Sequence, residues 1–499
     1  MRSIALILVA VPALAVPSLA ANCDSLASLK IPGATITLAQ KVEAGAFAPP
    51  SGDAAAFKNL PAFCRVAATL KPSSDSEIQI EVWLPETAMW NTKFLANGNG
   101  GWTGSINYTS LANALRLGFA TTMTDTGHQG GSASFAVNHP DKLTDFAYRA
   151  VHEMTTAAKE FVKAYYGDYP KVSYWNGCSQ GGRQGLTEAQ LFPRDFDGIV
   201  AGAPANAWVH MMAQILWVAQ SVHNDEAAYI PPSKYPLIHN AIMQACDAQD
   251  HVRDGVLEDP TRCKFDPRTL RCKATGPADC LTAPQVDALL RIYSGPINPR
   301  TRESIFPGFE PGSEMGWDEF VAGPQPTPFA VDEFRYVVFK KPGWDYRTLD
   351  FGRDVDTADQ QDNGLLNATD PNLKTFFELG GKILQYHGWN DQLIAPLSSV
   401  DYYDSVLKTR GPKARDSYRL FMVPGMKHCR GGEGTDNFDM LSVIQQWVEN
   451  GKAPDRVEAS RIVDGKVVRT RPLCAYPQIA VYRGKGSTDD TQNFTCKNK

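Results

Sequence analysis

Polar and apolar positions alternate cleanly across residues 77–84, where Ile78, Ile80, Val82 and Leu84 share one face. A period of two predicts a half-buried strand. Residues 93–96 and 119–124 predict two more strands. The first of these runs into Asn97-Gly98-Asn99-Gly100-Gly101, a loop that needs backbone freedom. Between 144 and 166 the period changes. Phe146, Ala150, Met154, Ala157 and Phe161 recur every three or four positions and Gly167 follows, which predicts a long helix with a glycine stop. Residues 171–175 then predict a strand, followed by a glycine-bracketed turn, a helical stretch and a further strand at 198–203.

From 208 to 375 this rhythm weakens, and prolines, aromatics and Cys246, Cys263, Cys272 and Cys280 crowd the segment. It reads as an inserted lid domain. The rhythm resumes with strands at 382–386 and 418–423 and helices at 398–407 and 438–450. Strands alternating with helices argue for an α/β fold with a mainly parallel sheet. The catalytic domain is then expected in two pieces, 22–207 and 376–499, with the lid at 208–375.

Composition adds destination rather than fold. The chain has 499 residues, 43% hydrophobic and 21% charged, with a formal net charge of -5. No block of like charges points to nucleic acid or to an anionic membrane as partner. Arg2, an apolar run at 4–11 and Ser18-Leu19-Ala20 have the order of a signal peptide over residues 1–21, cleaved after Ala20 or Ala21. That run is too short for a lasting membrane span. A secreted or periplasmic protein is expected. Ten cysteines suit an oxidising compartment and five disulfides. Sequence does not dictate their connectivity, but the placement suggests Cys23 with Cys64, Cys246 with Cys263, Cys272 with Cys280 and Cys474 with Cys496. Cys178 and Cys429 are then left over.

Gly177-Cys178-Ser179-Gln180-Gly181 matches G-x-S-x-G between a predicted strand and a predicted helix. In that setting a serine is thrust out at the carboxyl edge of a sheet, and the helix N-terminus faces the developing negative charge. The amide of Gln180 would supply one oxyanion donor. In an α/β-hydrolase the order is Ser, then Asp or Glu, then His. Asp391 follows the strand ending near Tyr386, and His428 follows the next strand. His428 is thus the expected base and Asp391 its orienter. Of the competing histidines, His387 is expected to line the pocket or bond a loop, and His128 to shape the site from a neighbouring strand end. A bond between Cys178 and Cys429 would clamp the nucleophile and base loops together.

A second constellation lies in the insertion. Asp247, Asp250 and Asp254 fall three and four residues apart, Gly255 permits a tight turn, and the carbonyls of Val252 and Val256 could complete an oxygen shell. Hard oxygen ligands suit structural Ca²⁺, although the spacing is not that of an EF-hand. The alternative is a solvated acidic loop. No organic cofactor is expected.

Taken together, Asn176 to Gly185, Phe196 to Ala205, Tyr386-His387-Gly388-Trp389 and Met422 to Met426 before His428-Cys429 resemble the tannase and feruloyl esterase family. The resemblance covers nearly the whole mature chain. It implies an α/β-hydrolase domain with a lid inserted before the triad aspartate. It also implies Ser179, Asp391 and His428 as triad, a Cys178–Cys429 bond, and a lid Ca²⁺ on Asp247, Asp250, Val252, Asp254 and Val256. Where the family commonly has glycine after the second carboxylate, this chain has His251. The second oxyanion amide is implied at Gly101, with Gly100 next. Substrates of the family are small esters of aromatic acids such as gallate, ferulate and sometimes terephthalate. Lid aromatics Phe334, Tyr336, Phe339, Trp344 and Tyr346 could stack on such a ring or form lid core. The competing classes are an esterase for other aromatic monoesters, a serine peptidase on the same fold, and a secreted binding protein without chemistry. The complete triad argues against the last.

Overall fold

In the computed structural model the described residues are 22–498 apart from 51, 274–278, 321, 324 and 326. The expected signal peptide at 1–21 lies outside them.

Nine strands form the central sheet, β1 (Ala34–Val42), β2 (Phe63–Leu70), β3 (Ile78–Pro85), β4 (Lys93–Asn97), β5 (Ala120–Thr124), β6 (Val172–Cys178), β7 (Gly198–Gly202), β8 (Lys382–Gly388) and β9 (Tyr418–Val423). Their spatial order is β1-β2-β3-β5-β4-β6-β7-β8-β9. The pairs from β1 to β2, β2 to β3 and β3 to β5 are antiparallel. Every pair from β5 through β9 is parallel. The fold is therefore an α/β-hydrolase fold with an antiparallel flank on one side.

Strand alternation sorts side chains to two cores. Phe94, Trp175, Ile199, Ile383 and Leu420 face one layer with Val151, Met154 and Phe161 of the Ala150–Tyr166 helix and Val400 and Tyr403 of the Leu397–Arg410 helix. Their neighbours Leu95, Tyr174, Val200, Leu384 and Phe421 face the other, with Ile444 and Trp447 of the Met440–Asn450 helix. Both faces of the parallel strands are buried, which is why these runs read as continuously apolar.

The expected helix at 144–166 is interrupted. Residues Asp145–Arg149 take a π-helical turn before the α-helix proper. Asp145 is buried there and accepts hydrogen bonds from Ser76 (3.1 Å) and Arg149 (2.5 Å). At the C-terminus two further hairpins form, β10 (Arg456–Val463) with β11 (Lys466–Cys474) and β12 (Gln478–Tyr482) with β13 (Phe494–Asn498).

Between β7 and β8 the described residues add no strand to the central sheet. The helices Trp208–His223, Tyr235–Cys246 and Ala283–Ser294, with shorter turns, share a separate apolar cluster that includes Phe309, Trp317, Phe334 and Trp344. Trp102 and Phe146 of the catalytic part join it, so this cluster also seats the insertion on the sheet's rim. Phe334, Phe339 and Trp344 pack on one another with ring centroids 5.3–6.2 Å apart. Of the two expectations for these aromatics, lid core is the one that describes them. No helix among the described residues is long and apolar enough to cross a membrane.

Candidate active site

Ser179 stands between β6 and the Gln180–Leu191 helix with φ 63° and ψ -123°. A side chain is rarely held there, and the surroundings over-determine it. The Ser179 amide donates to Gly202 O (2.9 Å), while Ser179 O accepts from Arg183 N (3.0 Å) and Ala205 N (3.1 Å). Glycine is required around it by close approach. A Cβ on Gly177 would meet the Gly181 carbonyl carbon at 2.5 Å, and one on Gly98 would meet Gly181 Cα at 2.4 Å.

The glycine-rich loop lies beside this turn because Asn97 at the end of β4 pairs with Asn176 of β6. Gly98 N donates to Asn176 O (3.0 Å). Two amide side chains then lock loop to helix. Asn99 N donates to Gln184 Oε1 (3.0 Å), and Gln184 Nε2 donates back to Asn99 Oδ1 (3.1 Å). Gly100 and Gly101 follow directly, Gly101 with φ 49°. His128 bonds Trp102 O through Nε2 (2.7 Å) and stacks on Phe135. It braces this loop from below, and burial lowers its pKa. Arg183, fully buried, donates to Gln180 Oε1 (2.6 Å), to Phe146 O (3.3 Å) and to Leu366 O (2.9 Å) in the last stretch before β8.

Asp391 and His428 leave the neighbouring strands β8 and β9. His428 Nδ1 and Asp391 Oδ2 are 2.7 Å apart. Asp391 Oδ1 accepts from Leu393 N and Ile394 N, both at 2.8 Å. A carboxylate is acceptor-only, so Nδ1 of His428 carries a proton, and in the neutral ring Nε2 is left with a lone pair. Asp391 is wholly buried, which alone would push its pKa up. The hydrogen bonds of His428 and His387, with the positive charge that a protonated ring brings, outweigh burial and hold it well below the usual carboxylate range. His387, expected to line the pocket or bond a loop, bonds the loop after β8, its Nε2 lying 3.0 Å from Asp391 Oδ2 and 3.2 Å from Ile394 O.

Cys178 and Cys429 are bonded, with their Cα atoms 6.1 Å apart. The residue after the first is Ser179 and the residue before the second is His428, so the Ser179 and His428 loops are joined side by side. The other pairs are Cys23–Cys64, Cys246–Cys263, Cys272–Cys280 and Cys474–Cys496.

The insertion reaches this rim through residues that the sequence pattern does not single out. His428 N donates to Gln392 Oε1 (3.0 Å), and Gln392 Nε2 donates to Glu319 Oε2 (2.6 Å). Lys427 Nζ donates to Glu319 Oε1 (2.7 Å). One turn of helix, Trp317–Phe320, is thereby fastened to the histidine loop. It presents the Phe320 ring 6.2 Å from the His428 ring, while Phe329 covers Gly101.

The acidic loop of the insertion is a second centre. Val252 N donates to Asp250 Oδ1 (2.9 Å) and Val256 N to Asp254 Oδ1 (3.2 Å). Asp254 N and Gly255 N both donate to the Asp247 carboxylate (3.3 Å each). Burial above all, with Asp254 and Asp247 close by, pushes Asp250 up to about 6. Two separate cavities of about 20 Å³ each lie here, one against Asp250, Asp254 and Val256 and the other against Asp247 and Asp250. Carboxylate and carbonyl oxygens are the donor type that a hard cation takes. Arg469 and Arg471 both pair with one oxygen of Asp254 and supply part of the balancing charge. His251 adopts φ 69°, in the left-handed region that glycine enters most readily.

Fold and site together define the class, a carboxylic ester hydrolase on the α/β-hydrolase fold. The family model "Tannase and feruloyl esterase" matches residues 64–497. An uncharacterized esterase of Xanthomonas campestris is 40% identical, covering 96% of this chain and 92% of its own. A probable feruloyl esterase B-1 of Aspergillus terreus is 35% identical, covering 87% and 86%. The solved structure of feruloyl esterase B from Aspergillus oryzae superimposes with a TM-score of 0.89 at 33% identity, covering 95% of this chain and 99% of that one. The chain belongs to the tannase and feruloyl esterase family.

Proposed function

We propose that the protein is an exported serine esterase that cleaves small esters of hydroxycinnamic or gallic acid through an acyl-enzyme on Ser179. The observation that carries this reading is the buried Asp391–His428 hydrogen bond of 2.7 Å, joined by the Cys178–Cys429 cystine to the left-handed turn at Ser179. His428 Nε2 takes the Ser179 hydroxyl proton as the oxygen attacks the ester carbon. The carbonyl oxygen becomes an oxyanion, for which the amides of Gln180 and of Gly101, with Gly100 next, are the donors. Collapse expels the alcohol, which takes the proton from His428. Water then repeats the sequence on the acyl-enzyme, releasing the aromatic acid and restoring Ser179. Asp391 stays ionised throughout and stabilises the imidazolium.

Aromatic acids are favoured because Phe320 and Phe329 flank the base and the glycine loop, offering ring edges and faces to a planar acyl group. Export is supported by five disulfides and by the leader-like residues 1–21. Structural Ca²⁺ would be held by Asp247, Asp250 and Asp254 with the carbonyls of Val252 and Val256, bracing the loop closed by Cys246–Cys263. The deciding experiment compares kcat/KM for methyl ferulate, methyl gallate, chlorogenate, a terephthalate monoester and 4-nitrophenyl butyrate. The expected result is highest efficiency on a ferulate, gallate or chlorogenate ester. Preference for the terephthalate monoester moves the substrate to other aromatic monoesters, and preference for the butyrate overturns aromatic specificity.

A further inference from the structure

We propose that His387 is a positioning residue of the hydrolytic site, holding Asp391 in the orientation that Asp391 imposes on His428. The proposal rests on reading Ser179, His428 and Asp391 as the triad.

His387 sits near the end of β8, opposite Met422 of β9, and its side chain is completely buried. Its Nε2 lies 3.0 Å from Asp391 Oδ2 and 3.2 Å from Ile394 O. Neither partner can donate once Asp391 is ionised, so Nε2 must carry the hydrogen. Nδ1 is then the acceptor, and the group 2.7 Å from it is the Ser399 hydroxyl, which donates. The chain of bonds runs from Ser399 to His387 to Asp391, where it meets His428 coming from the other side. Ser399 stands in the first turn of the Leu397–Arg410 helix, so the chain ends on a rigid element packed against the sheet.

The stoichiometry of the carboxylate gives the argument its force. Asp391 Oδ1 takes two backbone amides, and Oδ2 takes His428 at 2.7 Å and His387 at 3.0 Å. A carboxylate has about four lone-pair sites, and all are used. Without His387 one site on Oδ2 is bare in a dry interior, and rotation of the carboxylate toward another donor becomes favourable. The oxygen that rotates is the one orienting His428. An imidazole displaced by about 1 Å is enough to slow such a reaction roughly 100-fold. His387 touches neither substrate nor Ser179, so the effect passes through Asp391 and falls on the chemical step rather than on binding.

The test uses the full chain, with methyl ferulate and 4-nitrophenyl acetate as probes and active enzyme counted by its folded fraction. His387→Ala is expected to lower kcat about 10- to 100-fold while KM stays within about twofold. His387→Gln, whose amide N–H can reach the carboxylate, should recover most of that loss, and Ser399→Ala should give a smaller fall of the same kind. In the one-dimensional proton spectrum, the far-downfield resonance of the His428–Asp391 hydrogen bond should move in His387→Ala and return toward its original position in His387→Gln. Wild-type kcat per folded molecule in His387→Ala, with an unmoved resonance and only a lower melting temperature, would overturn the proposal. Should alanine prevent folding, His387→Leu, which fills the space but cannot donate, and Ser399→Ala carry the comparison, and wild-type kcat in both would overturn it equally. Ser179→Ala, run alongside, separates the two levels. Full turnover by that variant sinks the triad reading itself, whereas its inactivity beside an unaffected His387→Ala sinks this proposal alone.

Discussion

At the sheet rim, Ser179 and Asp391 each follow a parallel strand paired residue by residue with its neighbour, whereas Phe320 and Phe329 in the insertion sit on helices of four and five residues. The rim is held by backbone register, by glycine contacts and by a covalent bond. The insertion is held there by side chains, Gln392 and Lys427 to Glu319 and Trp102 to the Phe329 carbonyl. Chemistry therefore rides on parts that cannot move independently, and the surface offered to a substrate rides on parts that can be exchanged. Such a division lets one scaffold serve many esters.

Three perturbations would break or sharpen this contrast. Ser179→Ala should have the largest effect, lowering kcat on methyl ferulate by about 10⁴-fold or more with no change in the thermal melt. Turnover that survives places the nucleophile elsewhere on the rim. Next is removal of divalent metal by a chelator, followed by gel filtration. The melting temperature should fall by several degrees, and kcat per folded molecule at 25 °C should not change, since the ion would brace the insertion rather than the rim. A melt unchanged after verified metal removal would argue against a structural ion. The smallest effect is expected from Phe320→Ala, a threefold to tenfold rise in KM for methyl ferulate, on the order of 1 kcal/mol, with kcat nearly unaltered. A fall in kcat instead would show that this ring also controls His428.

The parallel half of the sheet was legible because its strands are buried on both faces and broken by glycine turns, so β4, β6, β7, β8 and β9 stand out as apolar runs. β1 was not, for a physical reason. It is an edge strand, Ala34–Val42, mostly half-buried or exposed, with an irregular register between Ile36 and Leu38. Little burial means little pattern. The β10–β11 hairpin likewise exposes Val467 and Val468 and carries no amphipathic signature. The Asp391–His428 pair and the turn at Ser179 could be anticipated from motif and order, since a hydrolase triad requires particular residue types after particular strands. The residues that hold them could not. Gln184 and Asn99 find each other across 85 positions, and His387 reaches Asp391 by a strand-end bend that no spacing rule encodes. The insertion's aromatics mislead for a related reason. Phe334 and Trp344 serve its own core, and composition does not separate them from Phe320 and Phe329 at the rim.

The bond between Cys178 and Cys429 spans 251 positions, and the entire insertion lies inside that span. The polypeptide between these two sulfurs is thus a closed ring. A protease that cuts it once, anywhere on the ring, produces two fragments that migrate together until a reductant is added. Separating the halves then takes a thiol as well as a peptidase.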